Sequence, residues 1–368
     1  MAEENQISSV RHFRRFALAV CAVGVLVQLL LTAYYLGMGH KAAPHDLPVG
    51  LVAADAQRAQ VTTMLEKDGA FAVGEYASAD ELVSAIRERD VYGGVDLTGD
   101  QPMLYVAGAA GTSAAALLRS TYTSVMQQQK SNQLTQLAGT GGAITVAEVQ
   151  ALIAASPVTD VVPLPADDVN GVSLGFLTQA LSLGGTIASM GLGRLIPRTR
   201  RSWKRGVAHA GTLIVYAIGS AAAVLWSMSW FGVGTDADQL EMLGIFALIS
   251  LAVTGSTAGA VALIGPAGAL VGAFYFTVGT VISGASILPE FLPAFGRHLG
   301  ENLPTGAGVQ AVRDNLYFPD APIGGHLLVL TLYAAIGCLI VLVTNFLPNR
   351  GEGFSAAGPQ ISGHEPND

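Results

Sequence analysis

The sequence predicts a polytopic α-helical membrane protein with six transmembrane helices and an extracytoplasmic α/β domain inserted between the first and the second. Hydrophobic residues make up 51% of the chain and charged residues only 12%, whereas soluble domains carry about 25% charged residues. Six apolar stretches approach the roughly 20 residues that cross a bilayer. They cover residues 16–37, 172–196, 207–231, 240–263, 265–286 and 324–347.

The first apolar stretch is too long for a cleavable signal peptide, so we expect a retained anchor. Basic residues set the orientation, because cytoplasmic ends of spans carry an excess of Lys and Arg. They precede the first span, crowd residues 194–205 and follow the last span. Six spans place all these groups on one side. We therefore expect a bacterial cytoplasmic membrane protein with both termini cytoplasmic: an amphipathic segment 1–15 and a disordered tail 348–368.

Residues 38–171 are predicted to form the α/β domain outside the membrane. Strands are expected at 47–55, 71–77, 91–97 and 102–108, and helices at 56–68, 78–89, 113–137 and 145–155. Ser78 and Glu81 have the spacing of a capping box at the start of the second helix. The β-α-β-α-β order favours a partly parallel sheet.

Motifs that would indicate catalysis are missing from the sequence. It contains no GxxxxGK[ST], HExxH or CxxC pattern, and its seven histidines are scattered. Asp167 and Asp168 are adjacent, and a solvated turn explains them better than a carboxylate pair. The net charge of −8, with no basic face, argues against nucleic acid as a partner. We therefore expect neither an enzyme nor a bound cofactor or metal.

The predicted spans lack ionisable residues in their interiors, which argues against a proton- or sodium-driven carrier. Their Ser and Thr residues are typical of hydrogen bonding between helices. Two GxxxG patterns, Gly255 with Gly259 and Gly268 with Gly272, permit close helix contacts.

A Pro-rich outer segment, 287–323, separates the last two spans. We expect Pro289 and Pro293 to end the fifth span, because proline cannot continue a helix ladder, and two short helices to follow. In this interpretation Phe291, Leu292 and Phe295 lie in the outer leaflet. Glu290 and four residues of the first short helix face the headgroups (Arg297, His298, Glu301 and Asn302). The alternative is an interfacial loop that only seals the bundle.

Three stretches resemble the type-2 ABC exporter permease superfamily, and more narrowly the bacterial phage-infection-protein (YhgE/Pip) group. "LPVGLVAAD" with "YASADELVSAIRERDVYGGVDL" is similar to the family's first outer strand, helix and next strand. "SLGFLTQALSLGGTIASMGLGRL" resembles its second span. "LPEFLPAFGRHLGENLPTGAGVQAVRD" resembles its outer segment, in which a Pro-Thr pair precedes a helix that ends in Arg-Asp or Arg-Glu.

The resemblance implies a permease subunit that exports a lipid-like or amphipathic substrate. Its expected partners are a separate ATP-binding subunit, a second copy or related permease, lipids and other envelope proteins. The basic connection would contact the ATPase, although anchoring by charge explains it equally well; its residues are Arg198, Arg200, Arg201, Lys204 and Arg205. The outer gate would comprise Pro289, Phe291, Pro293, Phe295 and Pro304. The alternative function is a non-transporting envelope protein, a scaffold, assembly factor or phage receptor, that acts through its outer domain.

Overall fold

The computed structural model describes residues 2–40, 42–99, 101–139, 156–192 and 202–346, apart from the side chains of 2–14 and 137–139. Three predictions lie outside the described residues. They are the helix at 145–155, the tail at 348–368 and most of the basic connection between the second and third predicted spans.

The described chain is mostly helical with a small sheet. Its α-helices are α1 (Ala2–Gly39), α2 (Asp55–Glu66), α3 (Ala79–Arg87), α4 (Thr112–Gly139), α5 (Ser173–Leu192), α6 (Trp203–Trp230), α7 (Gln239–Ile264), α8 (Ala269–Phe274), α9 (Ala294–Asn302), α10 (Pro304–Tyr317) and α11 (Gly324–Phe346). Its strands are β1 (Leu47–Val52), β2 (Phe71–Glu75), β3 (Gly93–Asp96), β4 (Met103–Val106) and β5 (Val158–Asp160).

Among the described residues, four helical segments are long and apolar enough to cross a membrane: Arg15–Gly39, Trp203–Trp230, Gln239–Gly279 and Gly324–Phe346. They match four predicted spans, the third of them extended to Gly279. The predicted second span corresponds to α5, a helix of 20 residues that is not among the four. In length and composition these four segments are consistent with a membrane protein.

The predicted fifth span is not a single regular helix. At Gly265 the backbone has φ +79 and turns back, so that a Cβ on Gly268 would lie 2.3 Å from the Ala260 carbonyl carbon of α7. The returning chain forms α8 and a π-helical turn, Tyr275–Gly279. Because the helix ends at Gly279, the prediction that Pro289 and Pro293 end it is wrong.

The α/β unit comprises the described residues between 42 and 171. Its sheet has the order β2-β1-β3-β4-β5. β1 pairs in parallel with β2 and β3, β3 and β4 are antiparallel, and β4 and β5 are parallel. The prediction of a partly parallel sheet is confirmed.

The predicted capping box at the start of α3 is present. The Ser78 hydroxyl accepts a hydrogen bond from the Glu81 N–H (3.2 Å). The Glu81 carboxylate accepts one from the Ala77 N–H (2.8 Å), one residue before the cap. Leu82 and Ile86 then lie on the buried face of α3 against the sheet, as their spacing predicts.

Helix α7 lies at the centre of the apolar helices, with α5, α6, α10 and α11 packed around it. Glycines make its contact with α11 unusually close. A Cβ on Gly337 of α11 would lie 2.2 Å from the Gly255 carbonyl carbon, and one on Gly259 would lie 3.0 Å from the Gly337 carbonyl oxygen. The first GxxxG pattern therefore does mark a helix contact. In the second pattern Gly272 faces α5: a Cβ on Gly272 would lie 2.8 Å from the Thr186 hydroxyl oxygen.

Replacing Gly337 with Ala is expected to force α7 and α11 apart, because the new methyl group would meet backbone rather than a movable side chain. Overpacking of this kind costs about 1–3 kcal/mol. The apparent melting temperature of the purified protein in detergent should fall. Gly325→Ala, near the start of the same helix with nothing within 4 Å of its Cβ position, is the matched control and should melt like the parent. Equal melting of both variants would contradict the packing.

Candidate functional site

Two short helices, α9 and α10, follow a 3-10 turn at Pro289–Phe291, as the sequence predicts for the outer segment. Their surroundings differ from the prediction. Phe291 belongs to the hydrophobic cluster of the α/β unit, with Leu288 and Phe318. Leu292 is also fully buried. The outer-leaflet placement is wrong for Phe291 and Leu292 because both side chains pack inside the protein, whereas Phe295 is exposed.

The three prolines of the predicted outer gate hold different positions. Pro289 is buried at the start of the 3-10 turn, and Pro304 is buried at the first position of α10. Proline suits the first position of a helix, where an N–H would have no intrahelical acceptor. Pro293 is exposed and precedes α9. The structure therefore places only part of this set at the surface.

The surface of α9 agrees with the sequence interpretation. His298, Glu301 and Asn302 are exposed, and half-buried Arg297 pairs with Glu301 at 3.2 Å. The residues predicted to contact a partner at the other end are only partly described. Lys204 and Arg205 lie exposed in the first turn of α6. Arg198, Arg200 and Arg201 lie outside the described residues.

A buried charged network joins the α/β unit to α10. Arg89, just after α3, donates hydrogen bonds to the Asp314 carboxylate and the Gln310 side-chain oxygen of α10. Asp314 is only 2% exposed. His326 of α11 approaches the other carboxylate oxygen at 3.6 Å, and the Arg89 guanidinium lies 5.9 Å from the Phe318 ring centroid. The Asp314 carboxylate of α10 thus lies against side chains from two other parts of the fold, the end of α3 and the start of α11.

The backbone of Arg89 is in the left-handed region, with φ +63. The Asp90 N–H bonds to the Ala85 carbonyl (2.9 Å) and the Arg89 N–H to the Ile86 carbonyl (3.1 Å). These two bonds form a Schellman motif, in which glycine normally occupies the left-handed position. A non-glycine residue there costs about 1–2 kcal/mol. The ion pair with Asp314 offsets that cost.

A second contact across the junction involves Glu290. Its carboxylate accepts a hydrogen bond from the Tyr92 hydroxyl (2.7 Å), and its backbone carbonyl accepts one from the His45 N–H (2.8 Å). Burial and the Glu290 charge raise the pKa of Tyr92. Glu290 is 8% exposed, so its predicted placement among the headgroups is wrong: this carboxylate binds the α/β unit.

Arg313 is the remaining buried charge of the network. Its guanidinium donates to the Gly284 carbonyl (2.7 Å) and the Gln310 side-chain oxygen (3.2 Å), both of them neutral acceptors. Burial, and then the nearby Arg89 charge, lower the pKa of Arg313 to about 10. It stays protonated at neutral pH. Among the described residues no carboxylate lies within ion-pair distance of it.

A cavity of about 260 Å³ lies beside Arg313. Its walls come from the start of α4, the start of α5, the turn at 285–288 and α10. The polar lining groups are Thr112, Ser113, Asn170, Gln179, Ser286, Arg313 and Tyr317. Asp168, which is buried and was predicted to lie in a solvated turn, instead caps α5 by accepting from the Val172 and Ser173 N–H groups (2.9 and 3.1 Å). This junction cavity is the candidate functional site.

Sequence reasoning did not find Arg89, Tyr92 or Gln310. The Arg313–Asp314 pair entered only through the family resemblance. Two adjacent charges follow a glycine-rich run there, but adjacent residues of a helix point about 100° apart, so the pattern alone does not show that either is buried. The described residues contain no group of His, Cys, Asp and Glu suited to a metal ion.

Comparison with family models, with curated proteins and with solved structures found no match for this chain.

Arg89→Gly is expected to destabilise the junction although it relieves the left-handed backbone. The change leaves Asp314 buried without its partner, which typically costs 3–5 kcal/mol, more than the about 1–2 kcal/mol of relieved strain. The melting temperature in detergent should fall and proteolysis between the α/β unit and α5 should accelerate.

The matched control is Asp46→Gly, at the other non-glycine residue with positive φ, 51°. Asp46 is exposed and its side chain makes no hydrogen bond among the described residues. This variant should be as stable as the parent or slightly more so. Stabilisation by Arg89→Gly as well would show that the ion pair contributes nothing.

Proposed function

We propose that the chain is the membrane-spanning permease subunit of an ABC-type exporter in the bacterial cytoplasmic membrane. It moves a lipid-like or amphipathic substrate, and a separate subunit hydrolyses ATP. Six segments cross the membrane: the four long helical segments, of which Gln239–Gly279 divides at Gly265 into two crossings (α7 and the α8 region), and α5. The α/β unit lies outside, inserted between the first and second spans, and both termini are cytoplasmic.

The observation that carries this proposal is the junction cavity. It is bounded by the α/β unit and by α5 and α10 of the helical part together. A substrate in this cavity touches both parts at once. The buried pairs Arg89–Asp314 and Tyr92–Glu290 cross the same junction, so that a movement of α10 reaches the α/β unit. Coupling of this kind suits a protein that passes a substrate outward from its membrane helices.

The ends of α6 support the proposed orientation. Just after its carboxyl end, a Cβ on Gly234 would lie 2.7 Å from the Leu316 side chain of α10. Because α10 contacts the α/β unit, this end of α6 lies near that unit. At its amino end, Lys204 and Arg205 are 26 and 25 residues from Trp230 (230 − 204 and 230 − 205). This is about 40 Å at 1.5 Å per residue. The basic residues thus lie at the opposite end of α6, the cytoplasmic end under the positive-inside rule.

Single cysteines are expected to report this topology in intact cells, after Cys21 and Cys338 are replaced with Ala. Ser84→Cys on α3 and Asp236→Cys after α6 should react with an impermeant maleimide. Ser202→Cys should react only after the cells are opened. All three positions are exposed on the protein, so protection would report the membrane. Labelling of Ser202→Cys in intact cells would overturn the orientation.

The second test is capture of the ATPase. Affinity purification in mild detergent should recover an ATP-binding subunit with the chain. Reversing two charges of the basic connection, Arg201→Glu with Lys204→Glu, should remove it while expression persists. The matched control reverses two exposed charges on the α/β unit, Lys67→Glu with Arg87→Glu, and should retain it. Since basic residues also set orientation, Ser84→Cys labelling is repeated in each variant. Recovery of no ATPase from the parent would contradict the permease function.

The second candidate function is a non-transporting envelope protein, a scaffold, assembly factor or phage receptor. The exposed side of the α/β unit favours it: α2 buries none of its residues and lies beside the edge strand β2. A partner can pair with such an edge or pack on α2. The same purification separates the two functions, because recovery of an envelope complex without an ATPase would support this one.

A further inference from the structure

We propose that the junction cavity binds the anionic headgroup of an amphipathic ligand, and that Arg313 is the counter-ion. The proposal rests on the permease function and deepens it, because it assigns the class of substrate that the site binds. It names the chemistry of the substrate: a phosphate or carboxylate group on an apolar tail.

The charge of the cavity wall supports an anion. Buried charges in proteins are normally paired, and the buried carboxylates of the junction are already engaged: Asp314 binds Arg89, Glu290 accepts from Tyr92, and Asp168 accepts from the first N–H groups of α5. Arg313 keeps only neutral acceptors, although it is 4% exposed. The cavity lining contains no Asp or Glu. An anionic ligand would supply the missing partner for this guanidinium.

The size of the cavity fits a headgroup rather than a whole lipid. Pockets that enclose drug-sized ligands measure about 300–1,000 Å³, and this one measures about 260 Å³. Asn170, Gln179 and Ser286 supply further donors and acceptors at its wall. The lining also includes the first turn of α4, a helix of 28 residues. Its amino end adds a favourable potential for negative charge.

An exposed apolar stripe on α5 begins at the cavity and provides a place for the tail. Phe176 lines the cavity yet is 66% exposed. Leu183, Ile187 and Met190 are exposed as well. The successive steps from Phe176 to Leu183, to Ile187 and to Met190 are 7, 4 and 3 residues, which keeps these side chains on one face of a helix. The stripe runs along a predicted span, where it meets lipid. A tail on this stripe would leave its charged end at Arg313.

The test measures protection of a cysteine at the cavity rim. The full-length chain, with Cys21→Ala, Cys338→Ala and Asn170→Cys, is placed in phosphatidylcholine nanodiscs. Maleimide labelling is timed with n-decyl phosphate, with n-decanol, or with inorganic phosphate. We expect n-decyl phosphate to slow labelling at concentrations at which the other two have no effect.

Two variants locate the binding. Arg313→Gln removes the charge, and Gly175→Leu fills the cavity; a Cβ on Gly175 would lie 3.7 Å from the Ser286 hydroxyl, an ordinary contact. Each should raise the n-decyl phosphate concentration needed for protection about tenfold or more: Arg313→Gln because a hydrogen bond to a charged group is lost, and Gly175→Leu because the added side chain occupies the space of the headgroup. Gly211→Leu on α6, with nothing within 4 Å of its Cβ position, is the matched control and should bind like the parent. If Arg313→Gln does not fold, Gly175→Leu decides alone.

The remaining outcomes overturn the proposal. Equal protection by n-decanol would show that the site selects for the tail and not for charge. Equal protection by inorganic phosphate would make the ligand a free anion. No protection, or protection unchanged in Gly175→Leu, would remove the ligand from this cavity. Failure here with an ATPase still recovered by affinity purification would leave a permease for another substrate. Failure of the ATPase capture alone would leave the binding site without that function.

Discussion

The carboxylate of Asp314 is the constraint on which the arrangement of the α/β unit and the apolar helices depends. It is almost completely buried, and its partners come from different parts of the chain: Arg89 follows α3, and His326 begins α11. Removing a charge from water costs several kcal/mol unless a partner is held close. The end of α3, α10 and the start of α11 must therefore meet in one geometry, which also fixes the walls of the cavity beside Arg313.

Local backbone features allow this meeting. Arg89 accepts a left-handed conformation so that its side chain leaves the end of α3 toward α10. On the other side, Gly284 has φ +85, and a Cβ there would lie 2.4 Å from the Gln310 side-chain nitrogen. A side chain at this position would strain the left-handed backbone and displace the Gln310 amide, which donates to the Ser283 carbonyl and accepts from Arg313. Strain at Arg89 and the missing side chain at Gly284 serve the same buried network.

Local patterns predicted the parts of this fold that local interactions determine. The strands of the α/β unit, the Ser78 cap and four long apolar helices are examples. Hydropathy did not predict the shape of the chain at 265–286, because it counts apolar residues and cannot register the reversal at Gly265. Local patterns could not predict the site either, because its partners are distant in the sequence: Arg89 and Asp314 lie 225 residues apart. Glu290 stands between prolines and aromatics, a pattern that suits a membrane interface equally well, and only the distant Tyr92 hydroxyl identifies it as buried.

The distribution of charge at the junction bears on how the protein works. The junction holds two buried cations, Arg89 and Arg313, and three buried carboxylates, Glu290, Asp314 and Asp168. Asp314 binds Arg89, Glu290 accepts from Tyr92 and Asp168 caps α5, so none of the three pairs directly with Arg313. An anion entering the cavity then adds a contact without breaking one, so binding stabilises the docked arrangement. Because the α/β unit and α10 both bound the cavity, a change in how these two parts pack would change the surroundings of the bound anion.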